Sequence, residues 1–279
     1  MGIGYRAEIA KELYLNRHKI STVEVITERY INSSSDFERL KKISEEFKVL
    51  PHGVSLSISS NLFDRDYLRK IKMVCQITRC EYYTEHLCLT RAPGIDIGHL
   101  SPIRYTDQNL KKIIKNVNLI QDFLEMPLVL ENISYSFELP GNSMSHEEFF
   151  YRLSEETNCG LLVDVTNLQT NAYNHQFDPY HYINNLPLNK VIHVHIAGGY
   201  YDRNGELIDS HSQAVEQRSF ELLEYLHKKT SIKTVILEHD SNFPDDIQEL
   251  LSLIEIANMI LKNKDWKAYY NKLVKSYQT

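Results

Sequence analysis

Side chains able to bind metal recur at the C-terminal ends of short apolar runs along this 279-residue chain. The runs read KVLPHGVSLS, CEYYTEHL, PLVLEN, GLLVDVTN, KVIHVHIAGG and KTVILEHD, and a separate D-S-H segment follows the fifth. Together they supply His52, His86, Glu131, Asp164, Asn167, His195, Asp209, His211 and Glu238. Imidazoles, carboxylates and one amide, with no thiolate, suit ions of intermediate hardness such as iron, manganese or zinc; carboxylates alone would suit magnesium or calcium. So many acids and imidazoles in one pocket would repel each other or stay unsatisfied without cations, so more than one ion is implied. A lone strand-end histidine is more often a hydrogen-bonded structural residue than a ligand, and only the joint pattern reverses that expectation. The i, i+2 spacing of Asp209 and His211 puts both side chains on one side of an extended segment. Asp164 and Asn167 fall where a strand passes into a loop. His193, also i, i+2 to His195, is expected to support the ligands from behind.

Residues spread over nearly 190 positions meet only if the fold gathers strand ends on one face, as a closed α/β barrel does. Eight candidate strands are present: Ile3–Tyr5, Thr22–Ile26, Val49–Leu56, Glu81–Thr84, Leu128–Leu130, Gly160–Val165, Val191–His195 and Thr234–Leu237. Between them lie helix-like segments at Asp36–Phe47, Asp64–Val74, Asp107–Phe123, Ser145–Thr157, Pro179–Asn185 and Phe220–Lys229. Ser145 to Glu148 has the S-x-x-E form of a capping box. The alternation predicts a parallel sheet and a TIM (β/α)8 barrel with its metal cluster at the C-terminal strand ends. Two connections, Arg91–Thr106 with Pro93, Gly94, Gly98 and Pro102, and Ile196–Gln217, are long enough to wall a pocket. Residues 1–279 read as a single domain, with 257–279 an amphipathic helical extension carrying Trp266, Tyr269, Tyr270, Leu273 and Tyr277 at helical spacing.

Composition narrows the function classes. Hydrophobic content of 42% and charged content of 24% are ordinary for a soluble globular protein. A formal net charge of −6 argues against nucleic acid as partner. No apolar run is long enough to span a membrane and Met1–Arg6 has no signal-peptide pattern, so a cytoplasmic protein is expected. Cys75, Cys80, Cys88 and Cys159 form no C-x-x-C pair and read as reduced, buried thiols. The serines after His52 lack a nucleophile elbow, Gly2-Ile-Gly4 lacks a phosphate-binding glycine pattern, and Ala197-Gly-Gly199 fits either a close backbone approach to a ligand or a tight turn.

The order HGVSLS, TEHL, LEN, D-x-x-N, H-x-A-G, D-x-H and E-x-D resembles the multinuclear non-haem iron-dependent oxidases, and VEVITERY is similar to that family's second-strand motif, with Arg29 where Asn is common. The resemblance runs from Ile3 to Asp240. H-I-A-G-G lacks the histidine that often follows A-G, and D-x-H lacks its usual tryptophan. Both departures resemble the branch that makes methanobactin, a copper-chelating modified peptide.

The resemblance implies a TIM-barrel enzyme holding two or three iron ions in mixed Fe(II)/Fe(III) states, with O2 as co-substrate. Its substrate would be a cysteine-containing ribosomal precursor peptide. In the methanobactin branch the outcome is four-electron oxidation of cysteine to an oxazolone with a neighbouring thioamide. A small leader-peptide-binding partner protein, forming a heterodimer, is also implied. By position, His52, His86 and Glu131 would serve one side of the cluster, with Glu131 bridging. Asp164, His195, Asp209, His211 and Glu238 would serve the rest, with Asn167 a weaker ligand. Asp240 is the candidate acid/base or substrate-orienting group, and His239 stands where the family usually has Arg. Three other classes fit parts of the pattern. The ligand order also resembles trinuclear zinc phosphodiesterases of endonuclease IV type, although the acidic charge balance weighs against DNA. A related sugar isomerase and a non-catalytic leader-binding scaffold remain as alternatives.

Overall fold

In the computed structural model, which describes residues 1–61, 63–92 and 95–277, eight parallel strands close into a barrel. They are β1 (Gly2–Gly4), β2 (Thr22–Ile26), β3 (Lys48–Gly53), β4 (Tyr83–His86), β5 (Leu128–Glu131), β6 (Gly160–Asp164), β7 (Val191–Ile196) and β8 (Thr234–Leu237). Neighbours in sequence are neighbours in the sheet, and β8 closes on β1 with Gly2 opposite Ile236. The TIM barrel expected from the alternation is therefore the fold. Strand bounds differ by a few residues: β3 stops at Gly53 rather than Leu56, and β4 begins two residues later than predicted, which brings His86 onto the strand itself.

The strands read out two faces with a period of two. Val49, Leu128, Leu130, Leu161, Val163, Val235 and Leu237 belong to the large core shared with the helices. Leu50, Val129, Leu162 and Ile236, the alternate positions, form a separate small cluster with Tyr82. This second set is a layer of side chains filling the barrel interior. Two residues further along each strand come His52, Glu131, Asp164 and Glu238. The candidate ligands are thus the next interior layer, held on a floor of close-packed apolar side chains.

Around the barrel run α1 (Ala10–Leu15), α2 (Ser34–Glu46), α3 (Arg65–Thr78), α4 (Asp107–Leu124), α5 (His146–Thr157), α6 (Val165–His175), α7 (Pro179–Asn185), α8 (Gln217–His227), α9 (Gln248–Leu261) and α10 (Lys267–Tyr277). Their starts are chemically marked: Ser33, Asp64, Thr106 and Ser145 each accept a first-turn amide hydrogen on the side-chain oxygen. Ser145 receives that of Glu148, as the S-x-x-E spacing predicts. Two predicted boundaries change. Asp164 and Asn167 do not enter a loop, because α6 starts directly after β6. The tail does not begin at 257, because α9 continues to Leu261 and only then breaks before α10.

The Arg91–Thr106 connection is partly a hairpin, with Leu89–Ala92 antiparallel to Ile95–Ser101; Pro93 and Gly94 lie outside the described residues. Within Ile196–Gln217, Tyr200–Tyr201 pairs with Leu207–Ile208. Among the described residues, no helix is long and apolar enough to cross a membrane. Cys75, Cys88 and Cys159 are buried, and none of the four cysteines is in a disulfide.

Trp266, the single tryptophan, leads into α10 and is almost fully buried against Phe220 and Tyr270. Trp266→Ala is expected to lower unfolding free energy by about 3 kcal/mol or more, measured by urea denaturation followed by circular dichroism. A loss below about 0.5 kcal/mol, the range of ordinary surface substitutions, would mean that the tail does not pin the barrel.

Candidate metal centre

Glu131 is the hub of the ligand layer. Its Oε2 lies 3.4 Å from Nε2 of His52 and 3.4 Å from Nε2 of His86, and its Oε1 lies 3.3 Å from Nδ1 of His195. Each of the first two imidazoles is aimed by its other nitrogen. His52 Nδ1 is 2.9 Å from the Thr84 hydroxyl, and His86 Nδ1 is 3.1 Å from the carbonyl oxygen of Gly53. A histidine held at one nitrogen by an oxygen presents the other to a metal, the usual arrangement around ligating imidazoles. One potential ligand atom each from His52, His86 and Glu131 fall within 4.8 Å of one another, and so do those of Glu131, Asp164, His195 and Glu238. Glu131 belongs to both groups, which is the geometry of a bridging carboxylate.

The helix that replaces the predicted loop explains how Asp164 is oriented. As N-cap of α6 it accepts the amide hydrogens of Thr166 and Asn167 on Oδ1, at 2.7 and 2.8 Å, which leaves Oδ2 free of any hydrogen bond. Asn167 donates through Nδ2 to the carbonyl of Asn132, and its Oδ1 is likewise buried without a partner.

Asp209 and His211 come together, with Oδ1 2.8 Å from Nε2, but not along a continuous extended segment: His211 turns into the left-handed region at φ 50°. Such backbone in a non-glycine residue is uncommon and clusters at functional sites. His211 Nδ1 lies 3.6 Å from Glu238 Oε2 and so joins this pair to the rest. Gly198 and Gly199 allow that placement. A Cβ on Gly198 would strike the carbonyl oxygens of Gln213 and Ala214, and one on Gly199 would strike that of Ile208. Of the two readings of A-G-G, close approach is therefore correct, but the approach is to the chain's own backbone, which folds the D-S-H segment over the barrel mouth.

Electrostatics shows what the layer lacks. Burial, then the carboxylates of Asp209 and Glu131, push Asp164 up to about 7. Burial and the neighbouring imidazoles of His86 and His195 push His52 well below its usual range. At His195 burial opposes protonation, but Glu238, Glu24 and Glu131 outweigh it and hold the imidazole well above its usual value. Asp209 and Glu238 do the same for His211. Protons on these imidazoles thus take the neutralising role that metal cations would fill. Besides those of Asp164 and Asn167, inward atoms of Glu131, His195, Asp209 and His211 are buried without a hydrogen-bond partner. Orphaned polar atoms at this density are rare in folded proteins and cost heavily unless something occupies the space between them. The donor set therefore fits metal ions.

Three participants escaped the sequence reading. Glu24, in the middle of β2, sets both carboxylate oxygens 3.1 Å from Nε2 of His195, on the ring edge opposite the one that faces Glu131 and Glu238. His193 Nε2 is 3.6 Å from the same carboxylate, so His193 sits beneath His195, as its spacing suggested. Glu85 is fully buried beside His86 and accepts the amide hydrogens of Leu56 and His86. Arg6, 2% exposed, holds Asp240 by Nε at 2.7 Å and by its terminal nitrogen at 2.5 Å. The signal for Glu24 was an acid between two valines, in a strand whose faces are both covered. Asp240 also faces His211 Nδ1 at 3.5 Å. Burial tends to raise its carboxyl, but the hydrogen bond with His211 and the charge of Arg6 more than offset this and keep it ionised. His239 points elsewhere: Nε2 lies 3.2 Å from the carbonyl of Asn242, and its ring packs on Phe243.

Two cavities open beside the layer. One of about 530 Å³ reaches Asp209 and Ser134, whose hydroxyl donates to Asp209 Oδ2. The other, of about 450 Å³, is lined by Asn132, the residue after Glu131. Both long connections wall them, through His99 to Tyr105 and through Glu206 to Asp209.

Residues 1–262 match the family described as RiPP precursor modification enzyme MbnB/TglH/ChrH. A UPF0276 protein of Caulobacter vibrioides is 31% identical over 255 residues, covering 91% of this chain and 89% of the relative. A UPF0276 protein of Shewanella oneidensis is 30% identical over 247 residues, covering 88% of each. Among solved structures, a D-tagatose 3-epimerase-like protein superposes with a TM-score of 0.58 at 16% identity, over 96% of this chain and 98% of that one. An L-ribulose 3-epimerase gives 0.57 at 15%, over 100% and 95%. At that identity the likeness is one of fold.

Glu24→Gln keeps the volume but removes the charge behind His195. Replacing such a partner costs metal sites roughly 10–100-fold in affinity. The variant is expected to fold normally and to lose bound metal in competition with a chelator. Metal retention equal to the unaltered chain would reduce Glu24 to a packing role.

Proposed function

Because the chain belongs to the RiPP precursor modification enzyme MbnB/TglH/ChrH family, whose members modify ribosomally made precursor peptides, we propose that it is an iron- and O2-dependent oxidase acting on cysteine in such a peptide. The observation that carries this reading is the layer of buried carboxylates and imidazoles whose inward atoms lack hydrogen-bond partners. His52, His86 and Glu131 would hold one ion, and Glu131, Asp164, His195 and Glu238 a second. Asp209 and His211, with Asn167, would hold a third. Iron is preferred over zinc for this nitrogen and oxygen set because zinc cannot carry electrons. When bound, iron would supply the redox chemistry and a place where O2 and a cysteine thiolate meet.

The protein's own part is positioning. The apolar floor of Leu50, Val129, Leu162 and Ile236 keeps water from entering below. Glu24, Thr84 and the Gly53 carbonyl hold His195, His52 and His86 in register. Asp240, ionised and clamped by Arg6, suits orientation of the peptide more than proton donation. In the methanobactin-type outcome, cysteine becomes an oxazolone with an adjacent thioamide, and its four electrons reduce one O2 to two waters. A small partner protein that holds the leader, giving a heterodimer, belongs to the same reading, as does a cytoplasmic location. The likeness to epimerases shares only the fold.

The iron-loaded chain, mixed under O2 with the cysteine-containing peptide encoded beside it and any partner encoded there, is expected to yield a product lighter by four hydrogens. Zinc and no iron in the chain as purified without added metal, together with no consumption of peptide by the iron-loaded chain under O2, would end the oxidase reading. Glu131→Ala should release more metal than His52→Ala, since Glu131 serves two groups; unchanged metal content in either would remove that residue from the set.

A further inference from the structure

The cavity beside Asn132 has a chemistry of its own. Tyr105, Tyr135, Phe137 and Tyr182 give it aromatic walls, and Glu138, Glu147 and Asp178 stand on its rim. No lysine or arginine is among its lining residues. Of the two lining imidazoles, His146 and His181, the first is neutral: Tyr105 stacks on His146 with centroids 4.7 Å apart, Tyr182 pairs with its Nδ1 at 2.8 Å, and desolvation pushes it down to about 3. Among the described residues Glu138 and Glu147 have no cationic partner. Burial chiefly, and then neighbours that include Glu138 and Glu147, push the hydroxyls of Tyr105 and Tyr135 up. Aromatic faces and rim carboxylates together favour an organic cation, whose stem packs on rings while its charge meets the ring faces and acids. A volume of about 450 Å³ accommodates one long side chain.

Position selects the source of that cation. Asn132 directly follows the hub residue Glu131, and its side chain bonds the Asp164 backbone at both ends, through Nδ2 to the carbonyl and through Oδ1 from the amide. Pro102, Tyr135 and Phe137 also wall the second cavity, which reaches Asp209. We propose that this cavity is a specificity pocket for a cationic side chain, arginine or lysine, of the peptide substrate close to the residue that is modified. The pocket lies outside the metal-ligating layer, and the inference rests on the peptide-modifying reading above.

The test is titration of the iron-loaded chain with Nα-acetyl-arginine N-methylamide and with its citrulline and phenylalanine counterparts, followed by ligand-observed NMR. The arginine compound is expected to bind at least tenfold more tightly than either. That preference should vanish in the Glu138→Gln/Glu147→Gln double variant with iron content unchanged. Phe137→Lys, at a wall position 59% exposed and so tolerant of substitution, should abolish binding by placing a fixed ammonium at the mouth. Equal or tighter binding of citrulline or phenylalanine overturns the proposal, as does arginine binding that survives both changes. Absence of any cation preference in the unaltered chain, when that chain still modifies peptide under O2, defeats the pocket alone. Cation binding by a chain that holds no iron and modifies no peptide defeats the functional reading, and with it the peptide as occupant.

Discussion

Everything at the mouth of this barrel depends on one electrostatic constraint: carboxylates and imidazoles are crowded, out of water, around Glu131. That residue is 1% exposed and lies within 3.4 Å of three imidazoles. Buried charge is tolerated only when paired and hydrogen-bonded, and here several inward lone pairs have no protein partner. Neutralisation has to come from protons or from cations. Several of the side chains are already fixed for the second case by an outer tether. Asp164 is tied by the first turn of α6, His86 by a strand carbonyl, and His195 by Glu24. Preorganisation of this kind lets ions bind without a rearrangement whose energy would count against affinity.

The barrel makes the crowding affordable. Apolar side chains one layer down close the interior, and the large helical core outside the strands holds the frame rigid. Period-two alternation thus does two tasks with one pattern. One set of alternate positions on the strands packs on the helices, while the other first plugs the barrel and then, two residues on, presents carboxylates and imidazoles. Function is added at the last turn of the pleat, where a change of side chain disturbs little of the core.

Much of this was legible in the sequence. Thr22–Ile26 and Thr234–Leu237 were recognisable as strands to the residue, and Pro179–Asn185 as a helix, because their β-branched runs, turn residues and proline start speak locally. The ligand-bearing strand ends were visible because polar groups break an apolar run. The helices α6 and α9 were missed for opposite reasons. VTNLQTNAYNH is too polar and β-branched to look helical, yet most of it is buried, so packing overrides propensity. QELLSLIEIANMIL is apolar on almost every side and shows no contrast between faces. Glu24 and Arg6 stayed hidden because their roles exist only across the sheet and the chain's length. Arg6 meets a residue 234 positions away, a relation that no local pattern encodes.

Extended X-ray absorption at the iron edge, on the chain loaded anaerobically with Fe(II), tests the central claim directly. Ions bridged by Glu131 should give an iron–iron vector of about 3.5–4 Å, the spacing of metals that share ligands, in a shell of nitrogen and oxygen with no sulfur before peptide is added. A shell of isolated ions with no metal–metal scattering would contradict the account.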